Sequence, residues 1–283
     1  MSSAITCSNI SKSFGNKRVL DNIDLEITAG EIFGLLGPSG AGKTTLIKII
    51  TGQLAADRGK ARIGKTESQK LSGNDYKSYG IMMDDFGLYE RLSCFQNLKV
   101  FARIYGIDNE RIRKVLSSVG LAGDMNKPVA KLSKGMKSRL KLARVFMIDP
   151  SVLFLDEPTS GLDPSTAEDI HHLIEAERKR GKTIFLTTHN MTEAEKLCDH
   201  IALLNEGVIV EYGTVNDICK RFYHQRLFNV ELNNGEKISI PQNESAADRI
   251  FQLLKQNQIA TIHSAEPNLE TIFLELTGRT LAV

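Results

Sequence analysis

The architecture of this chain follows from one stretch, Gly37-Pro38-Ser39-Gly40-Ala41-Gly42-Lys43-Thr44-Thr45. It matches the pattern G-x-x-x-x-G-K-[ST], in which glycines allow backbone N–H groups to converge on phosphate oxygens. A helix that starts after the loop would point its positive dipole end at the same phosphates. In this pattern Lys43 reaches the β- and γ-phosphates, and the Thr44 hydroxyl is a ligand of Mg²⁺. The stretch therefore predicts a site for a nucleoside triphosphate.

The residues on either side of the loop supply the context that the pattern requires. Residues 31–36 form a short apolar run that predicts a buried strand, and residues 44–51 predict a helix that ends at Gly52. Strand, loop and helix in this order favour a phosphate site. The alternative is a glycine-rich turn that only precedes a helix.

A second apolar run ends in two carboxylates. Residues 152–155 are followed by Asp156 and Glu157, which predicts a central parallel strand with its acids at the carboxyl edge of the sheet. There Asp156 would hold Mg²⁺, and Glu157 would polarise the water that attacks the γ-phosphate. A buried strand merely capped by solvated acids is the alternative, but the upstream loop favours catalysis.

A third strand, predicted over residues 182–188, ends at His189. Ligands of open α/β sheets collect at the carboxyl edge of the strands, so we predict that His189 contacts the γ-phosphate. We expect the remaining histidines to be surface or structural residues: His171, His172, His200, His224 and His263.

Length and composition limit the classes of protein to consider. With 283 residues, 41% of them hydrophobic, the chain has room for about two domains and a buried core. The net charge of +2 does not indicate nucleic-acid binding, and four cysteines without C-x-x-C spacing favour a reducing compartment. The chain begins with no signal-peptide pattern and contains no run of about 18 apolar residues. We expect a soluble, intracellular protein whose role at a membrane would need a partner.

We predict an α/β core over residues 1–220. Alternation in residues 5–10 and 19–27 predicts two strands of a half-buried sheet, joined by a polar turn. Phe14 lies in this turn, where it either stacks on a purine base or plugs a small core.

Two further segments are added to this core. Residues 86–147 have helical periodicity, which predicts a helical insertion between parts of the α/β core. Composition changes after about residue 220, and the turn Asn233-Asn234-Gly235 indicates a hairpin. Two helices follow it, so we predict a small α+β appendage over residues 221–283.

Together these segments resemble an ATP-binding cassette (ABC) transporter ATPase subunit over residues 1 to about 220. The resemblance rests on five ordered motifs: the first Walker motif at residues 37–45, the signature Leu132-Ser133-Lys134-Gly135-Met136-Lys137, the second Walker motif at residues 152–157, the D-loop Ser160-Gly161-Leu162-Asp163, and the switch histidine His189. Phe14 falls where the family places its base-stacking aromatic residue.

The resemblance implies a RecA-like sheet with an antiparallel β part, and a mechanism in which two cassettes pack head to tail. Each ATP, with Mg²⁺, would lie between one subunit's phosphate loop and the other's signature, at Ser133, Gly135 and the D-loop residue Asp163. Because one chain carries every half-site, a homodimer is expected. A polytopic membrane permease would be its partner, so the resemblance places the chain on the cytoplasmic face of the cell membrane, without nucleic acid.

The chain departs from the usual family pattern at two places. Lys134 and Met136 replace usual signature residues. Asp84 takes the place of a glutamine that touches Mg²⁺ and leads to the membrane contact, and an acid can still ligate Mg²⁺. An acid there, together with the chain's ending, resembles bacterial exporters of drugs, lantibiotics and bacitracin-type peptide antibiotics, which serve resistance or self-immunity.

Alternatives to export remain within the same superfamily. An importer ATPase carries the same motifs. A DNA-acting ATPase would need a long heptad insertion, for which residues 46–151 are too short, and ribosome-bound factors carry two cassettes where we find one phosphate loop. Glu157 and His189 favour hydrolysis over a binding-only sensor.

Overall fold

The computed structural model describes residues 2–83, 87–222, 227–264 and 267–278. Asp84, the expected Mg²⁺ contact, lies outside the described residues. The chain divides into two compact units, one running to Thr214 and the other beginning at Val215. This division falls six residues before the boundary expected at 220/221.

The strands of the first unit are β1 (Ser3–Phe14), β2 (Lys17–Thr28), β3 (Ile32–Leu36), β4 (Arg58–Ile63), β5 (Thr66–Glu67), β6 (Tyr79–Met82), β7 (Val152–Asp156), β8 (Thr183–Thr188), β9 (His200–Asn205) and β10 (Val208–Gly213). Its α-helices are α1 (Lys43–Ile50), α2 (Cys94–Tyr105), α3 (Asn109–Ser118), α4 (Lys134–Phe146), α5 (Pro164–Lys179) and α6 (Met191–Leu197).

A six-stranded sheet, in the order β10-β9-β3-β8-β7-β6, forms the centre of the first unit. The strands from β9 to β6 are parallel, and β10 pairs antiparallel with β9. Every residue of β3, β7 and β8 is buried, as expected for strands covered on both faces. The carboxyl ends of these three strands therefore meet at one edge, and the predicted phosphate loop, acids and histidine follow them.

A second, antiparallel sheet has the order β2-β1-β4-β5. β1 and β2 form a hairpin in which Phe14 pairs with Lys17. Its inward residues share one apolar core with helix α1; Ile5, Ile23 and Leu46 are all fully buried there. The antiparallel β part implied by the sequence is thus present beside the parallel sheet.

The helices α2, α3 and α4 are inserted between β6 and β7. Each begins at a capping side chain that accepts a backbone N–H of its first turn, and these are Ser93, Asp108 and Ser133. Gly106 ends α2 in the left-handed conformation. The helical insertion predicted from periodicity is confirmed. Among the described helices, none is long and apolar enough to cross a membrane.

The second unit contains α7 (Val215–Arg221), β11 (Leu227–Leu232), β12 (Lys237–Pro241), α8 (Glu244–Lys255), β13 (Ile259–Ser264) and α9 (Leu269–Thr277). Its sheet has the order β12-β11-β13, with a small core around Val230, Ile240 and Ala246. α7 belongs to this unit because it buries Ile218 and packs against α9. This packing explains why the division lies before α7.

Asp149 lies in the connection between α4 and β7, where its ion pairs contribute to stability. Its carboxylate accepts hydrogen bonds from Lys182 at 2.7 Å and Arg180 at 2.9 Å. The hydrogen bond from Lys182 is the main reason that the pKa of Asp149 lies below its ordinary value. The stabilisation is therefore present above the unfolded-state pKa and is lost as the pH falls through the lower folded-state pKa.

We expect Asp149→Asn to lower the free energy of unfolding at pH 7 by only about 0.5–1 kcal/mol, because the carboxylate is half exposed and screened. Asparagine tolerates the positive φ of this position, so the backbone is unchanged. Urea unfolding of both proteins from pH 7 to pH 3 tests this. The difference should shrink towards zero at the acid end, and equal stability at pH 7 would contradict the role.

Candidate functional site

The phosphate-binding stretch runs from the end of β3 into the first turn of α1, and its glycines have different surroundings. Gly40 and Gly42 have φ of 82° and 113°. A Cβ on Gly40 would meet nothing within 4 Å, whereas one on Gly42 would lie 2.8 Å from the Val19 carbonyl oxygen. At Gly37 a Cβ would lie 2.2 Å from the Leu204 carbonyl oxygen. Close packing thus requires glycine at 37 and 42, while Gly40 faces open space.

Lys43 begins α1, and its side chain is only 7% exposed. Its Nζ donates to the Gly37 carbonyl oxygen at 2.6 Å and lies 3.1 Å from Glu157 Oε1. A buried ammonium is costly unless it is paired, and these contacts pair it. The cation is therefore held between the loop and the acid that follows β7.

Asp156 is the last residue of β7, and both of its carboxylate oxygens accept hydrogen bonds. Oδ2 accepts from Thr44 Oγ1 at 2.8 Å, and Oδ1 accepts from Thr187 Oγ1 at 2.5 Å. The structure thus brings two of the three expected Mg²⁺ ligands, Thr44 and Asp156, into direct contact. Thr187 was not predicted. The available signal was its position near the carboxyl end of a fully buried strand.

Glu157 joins the loop to His189. Its Oε2 lies 2.7 Å from His189 Nδ1, while Oε1 contacts Lys43. Its backbone N–H donates to Thr187 Oγ1 at 3.1 Å, and its φ of 51° lies in the left-handed region. The carboxylate is 22% exposed, so water can reach it. A partly exposed carboxylate with fixed orientation is suited to take a proton from an attacking water.

The surroundings of the loop fit a phosphate ligand with a hard metal ion. A cavity of about 260 Å³ is lined by the loop together with Asp156 and Glu157. The first-turn amides of α1 lack intrahelical partners, which suits them to bind an anion. Oxygen ligands such as the Thr44 hydroxyl and the Asp156 carboxylate are those that Mg²⁺ prefers. Within the described ranges, no three His, Cys, Asp or Glu side chains are grouped so that they could hold a metal ion by themselves.

The signature and D-loop residues form a second group, apart from the residues that line this cavity. Ser133 is the N-cap of α4 and Asp163 is the N-cap of α5. The two helices meet closely, because a Cβ on Gly135 would lie 2.3 Å from Thr166 Cγ2. Hydrogen bonds from Thr166 keep the pKa of Asp163 below its ordinary value. Two helix starts therefore lie side by side with a carboxylate that remains ionised.

Phe14 ends β1, and 52% of it is exposed. Lys12 Nζ lies 5.6 Å from its ring centroid. Phe14 is not among the described residues that line the loop cavity. Of the alternatives weighed from the sequence, this exposure does not fit a core plug.

The sequence profile of the ABC transporter family matches residues 20–160 of this chain. A fluoroquinolones export ATP-binding protein of Mycobacterium tuberculosis is 39% identical over 264 residues, covering 92% of this chain and 87% of that protein. A lantibiotic transport ATP-binding protein of Streptococcus pyogenes is 35% identical over 223 residues, covering 78% of this chain and 96% of the relative. These findings confirm the family resemblance inferred from the five motifs.

Solved structures agree with this relationship. The dimeric structure of a post-hydrolysis state of an ATP-binding cassette, bound to ADP and Pi, superposes with a TM-score of 0.67 at 25% identity. The match covers 74% of this chain and 98% of that one. The predicted α/β fold, with its antiparallel part and helical insertion, is confirmed. The chain belongs to the ABC transporter family, as an ATP-binding subunit that hydrolyses ATP.

Proposed function

We propose that this chain hydrolyses Mg²⁺–ATP to drive a separate membrane subunit that exports a drug, peptide antibiotic or lantibiotic. The observation that carries the proposal is the set of contacts at the sheet edge. Thr44 contacts Asp156, and both Lys43 and His189 contact Glu157. These contacts join a phosphate loop, a metal-binding pair and a general base in one place.

In the proposed site the amides of residues 37–45 and the Lys43 ammonium bind the phosphates, and Phe14 stacks on the base. Thr44 and Asp156 hold Mg²⁺, with Asp84 as a further ligand. The metal, when bound, neutralises charge on the phosphate oxygens. The direct contact between Thr44 and Asp156 supports this assignment.

Hydrolysis is assigned to Glu157 and His189. Glu157 orients the attacking water and accepts its proton, and His189 fixes the carboxylate and contacts the γ-phosphate. The 2.7 Å contact between His189 Nδ1 and Glu157 Oε2 supports this pairing. Lys43 holds the other carboxylate oxygen, so the base is oriented from both sides.

The second site group acts across a dimer in this proposal. Ser133, Gly135 and Asp163 lie outside the lining of the loop cavity, so they would serve the ATP of another subunit. Helix-start N–H groups and the Ser133 hydroxyl are suited to a γ-phosphate. Two copies of this chain would build two equal sites, and a related cassette has been solved as a dimer with ADP and Pi.

Export is the direction that the relatives support. The fluoroquinolones export relative matches across both units of this chain, and the lantibiotic relative covers 78% of it. We propose that the chain binds a polytopic membrane subunit at the cytoplasmic face of the membrane and does not act on nucleic acid. Import of a solute is the alternative function, and the experiment must distinguish it from export.

Purification of the tagged chain from detergent-solubilised membranes tests this function. We expect a polytopic membrane subunit to co-purify, and expression of the pair to lower the sensitivity of cells to its cargo. Glu157→Gln is the matched control, since it should assemble normally but leave cells sensitive. Recovery of ribosomes or nucleic acid instead, or of a permease with an external solute-binding protein, would contradict the exporter function.

A further inference from the structure

Glu193 is a carboxylate in the first turn of α6, three residues after Asn190 and four after His189. Its side chain is 1% exposed. The backbone of this turn is fixed, because Asn190 Oδ1 accepts from the Glu193 N–H at 3.1 Å. A carboxylate this deeply buried is costly unless hydrogen bonds compensate it. Oε1 of Glu193 has such hydrogen bonds, whereas the buried Oε2 has no hydrogen-bond partner among the described residues, so the loss of an Oε1 partner would be costly.

Two described side chains bind the carboxylate of Glu193, and they come from two other parts of the fold. Thr159 Oγ1 donates to Glu193 Oε1 at 2.7 Å, and His171 Nε2 lies 3.0 Å from the same oxygen. Thr159 is in the loop after Glu157, and His171 is in α5. Since a carboxylate accepts hydrogen bonds, His171 donates from Nε2. Glu193 thus ties the start of α6 to the D-loop and to α5.

The contact between Glu193 and Thr159 lies between His189, which belongs to the first group of site residues, and the D-loop, which belongs to the second. On one side, α6 starts directly after His189, which contacts Glu157. On the other side, Leu162 N–H donates to the Thr159 carbonyl oxygen at 3.0 Å, so Thr159 holds the exposed turn that leads to Asp163. If His189 and the start of α6 move, Glu193 moves with them and shifts Thr159 and the D-loop that follows it.

We propose that Glu193 is a positioning residue that couples His189 to the D-loop through Thr159, with His171 holding it in place. This inference rests on the proposed function, in which Asp163 serves the other subunit. Coupling through such a contact requires that His189 and the D-loop both change the position of the element that carries Glu193. Glu193 is neither a metal ligand nor a proton acceptor in this role. It makes the position of the D-loop depend on the position of His189.

The test uses the full chain in the Glu157→Gln background and measures ATP-dependent dimerisation by sedimentation. Thr159→Val keeps the size of the side chain but removes the hydroxyl, and Thr159→Ser is the matched control that keeps it. We expect Thr159→Val to raise the ATP concentration needed for dimerisation about tenfold, the scale of one charge-assisted hydrogen bond, with Thr159→Ser unchanged. ATP affinity of the monomer should stay within about twofold, because Thr159 does not line the loop cavity.

A double-mutant cycle shows whether Thr159 acts through Glu193. Glu193→Met keeps the volume and removes the acceptor, so it should reproduce the loss, and the double variant should be no worse than either single variant. Additive losses, or normal dimerisation of Thr159→Val, would overturn the inference. If the Glu157→Gln parent itself fails to dimerise with ATP, the proposed function is wrong instead. Thermal unfolding shows whether each variant is folded. If Thr159→Val is misfolded, the dimerisation of Glu193→Met alone tests the inference.

Discussion

Glu157→Gln is expected to lower the steady-state ATPase rate at least about a hundredfold and to trap an ATP-bound dimer. Glutamine has nearly the same shape and can keep a hydrogen bond to His189 Nδ1, but its amide cannot accept the proton of the attacking water. Binding of ATP is retained because Lys43, the loop amides and the Thr44–Asp156 pair are unchanged. Dimers would form on addition of ATP and would not dissociate by turnover.

A steady-state ATPase assay and gel filtration with ATP measure the two parts of this prediction. Glu275→Gln makes the same chemical change at an exposed position of α9 and should leave both readouts unchanged. An unimpaired ATPase rate in Glu157→Gln would remove the general-base role from Glu157. A slow variant that stays monomeric with ATP would keep that role but contradict the proposed dimer.

Lys43→Ala is expected to weaken ATP binding by about a hundredfold or more, since it removes charge-assisted contacts with phosphate. The wild-type ammonium is buried and already placed beside the loop carbonyl of Gly37. Its loss also leaves Glu157 without its cationic partner, which adds repulsion towards an incoming phosphate.

Isothermal calorimetry with ATP and Mg²⁺ measures the affinity of Lys43→Ala. Lys48→Ala is the matched control, because Lys48 lies in the last turn of the same helix and is not part of the cavity lining. It should bind ATP as the wild type does, and thermal unfolding should show that both variants are folded. Undiminished affinity in Lys43→Ala would contradict the assignment of the loop.

Much of the core fold was predictable because its signals are local. The phosphate loop, the apolar runs of strands β3 and β7, and the capped helices α2 and α4 each occupy a continuous segment with its own pattern. β6 was not predicted. It is only four residues long and contains Gly80, where a Cβ would lie 2.4 Å from a methyl group of Val145. Its strand character comes from parallel pairing with β7, which no local pattern encodes.

β13 shows the same limit in the second unit. Five of its six residues are exposed, so it lacks the alternation that marks a half-buried strand, and its place is set by pairing with β11. In the site, motif position was enough to predict that Lys43, Asp156 and Glu157 lie together, and their roles remain predictions. The contacts of Thr187 and Glu193 were not predicted, because each joins residues about thirty positions apart in the chain, and for Thr187 the only local signal was its position near the end of a buried strand.

The backbone of Glu157 has a consequence for the history of this protein. A non-glycine residue in the left-handed region costs about 1 kcal/mol or more, and glycine avoids that cost. Glycine at position 157 would remove this backbone cost, but it would also remove the carboxylate that pairs with the buried Lys43 ammonium and the general base proposed here. In the proposed function, the backbone cost at position 157 is tolerated because the carboxylate is needed there. Laboratory evolution of more stable variants should therefore include selection for transport activity in every round.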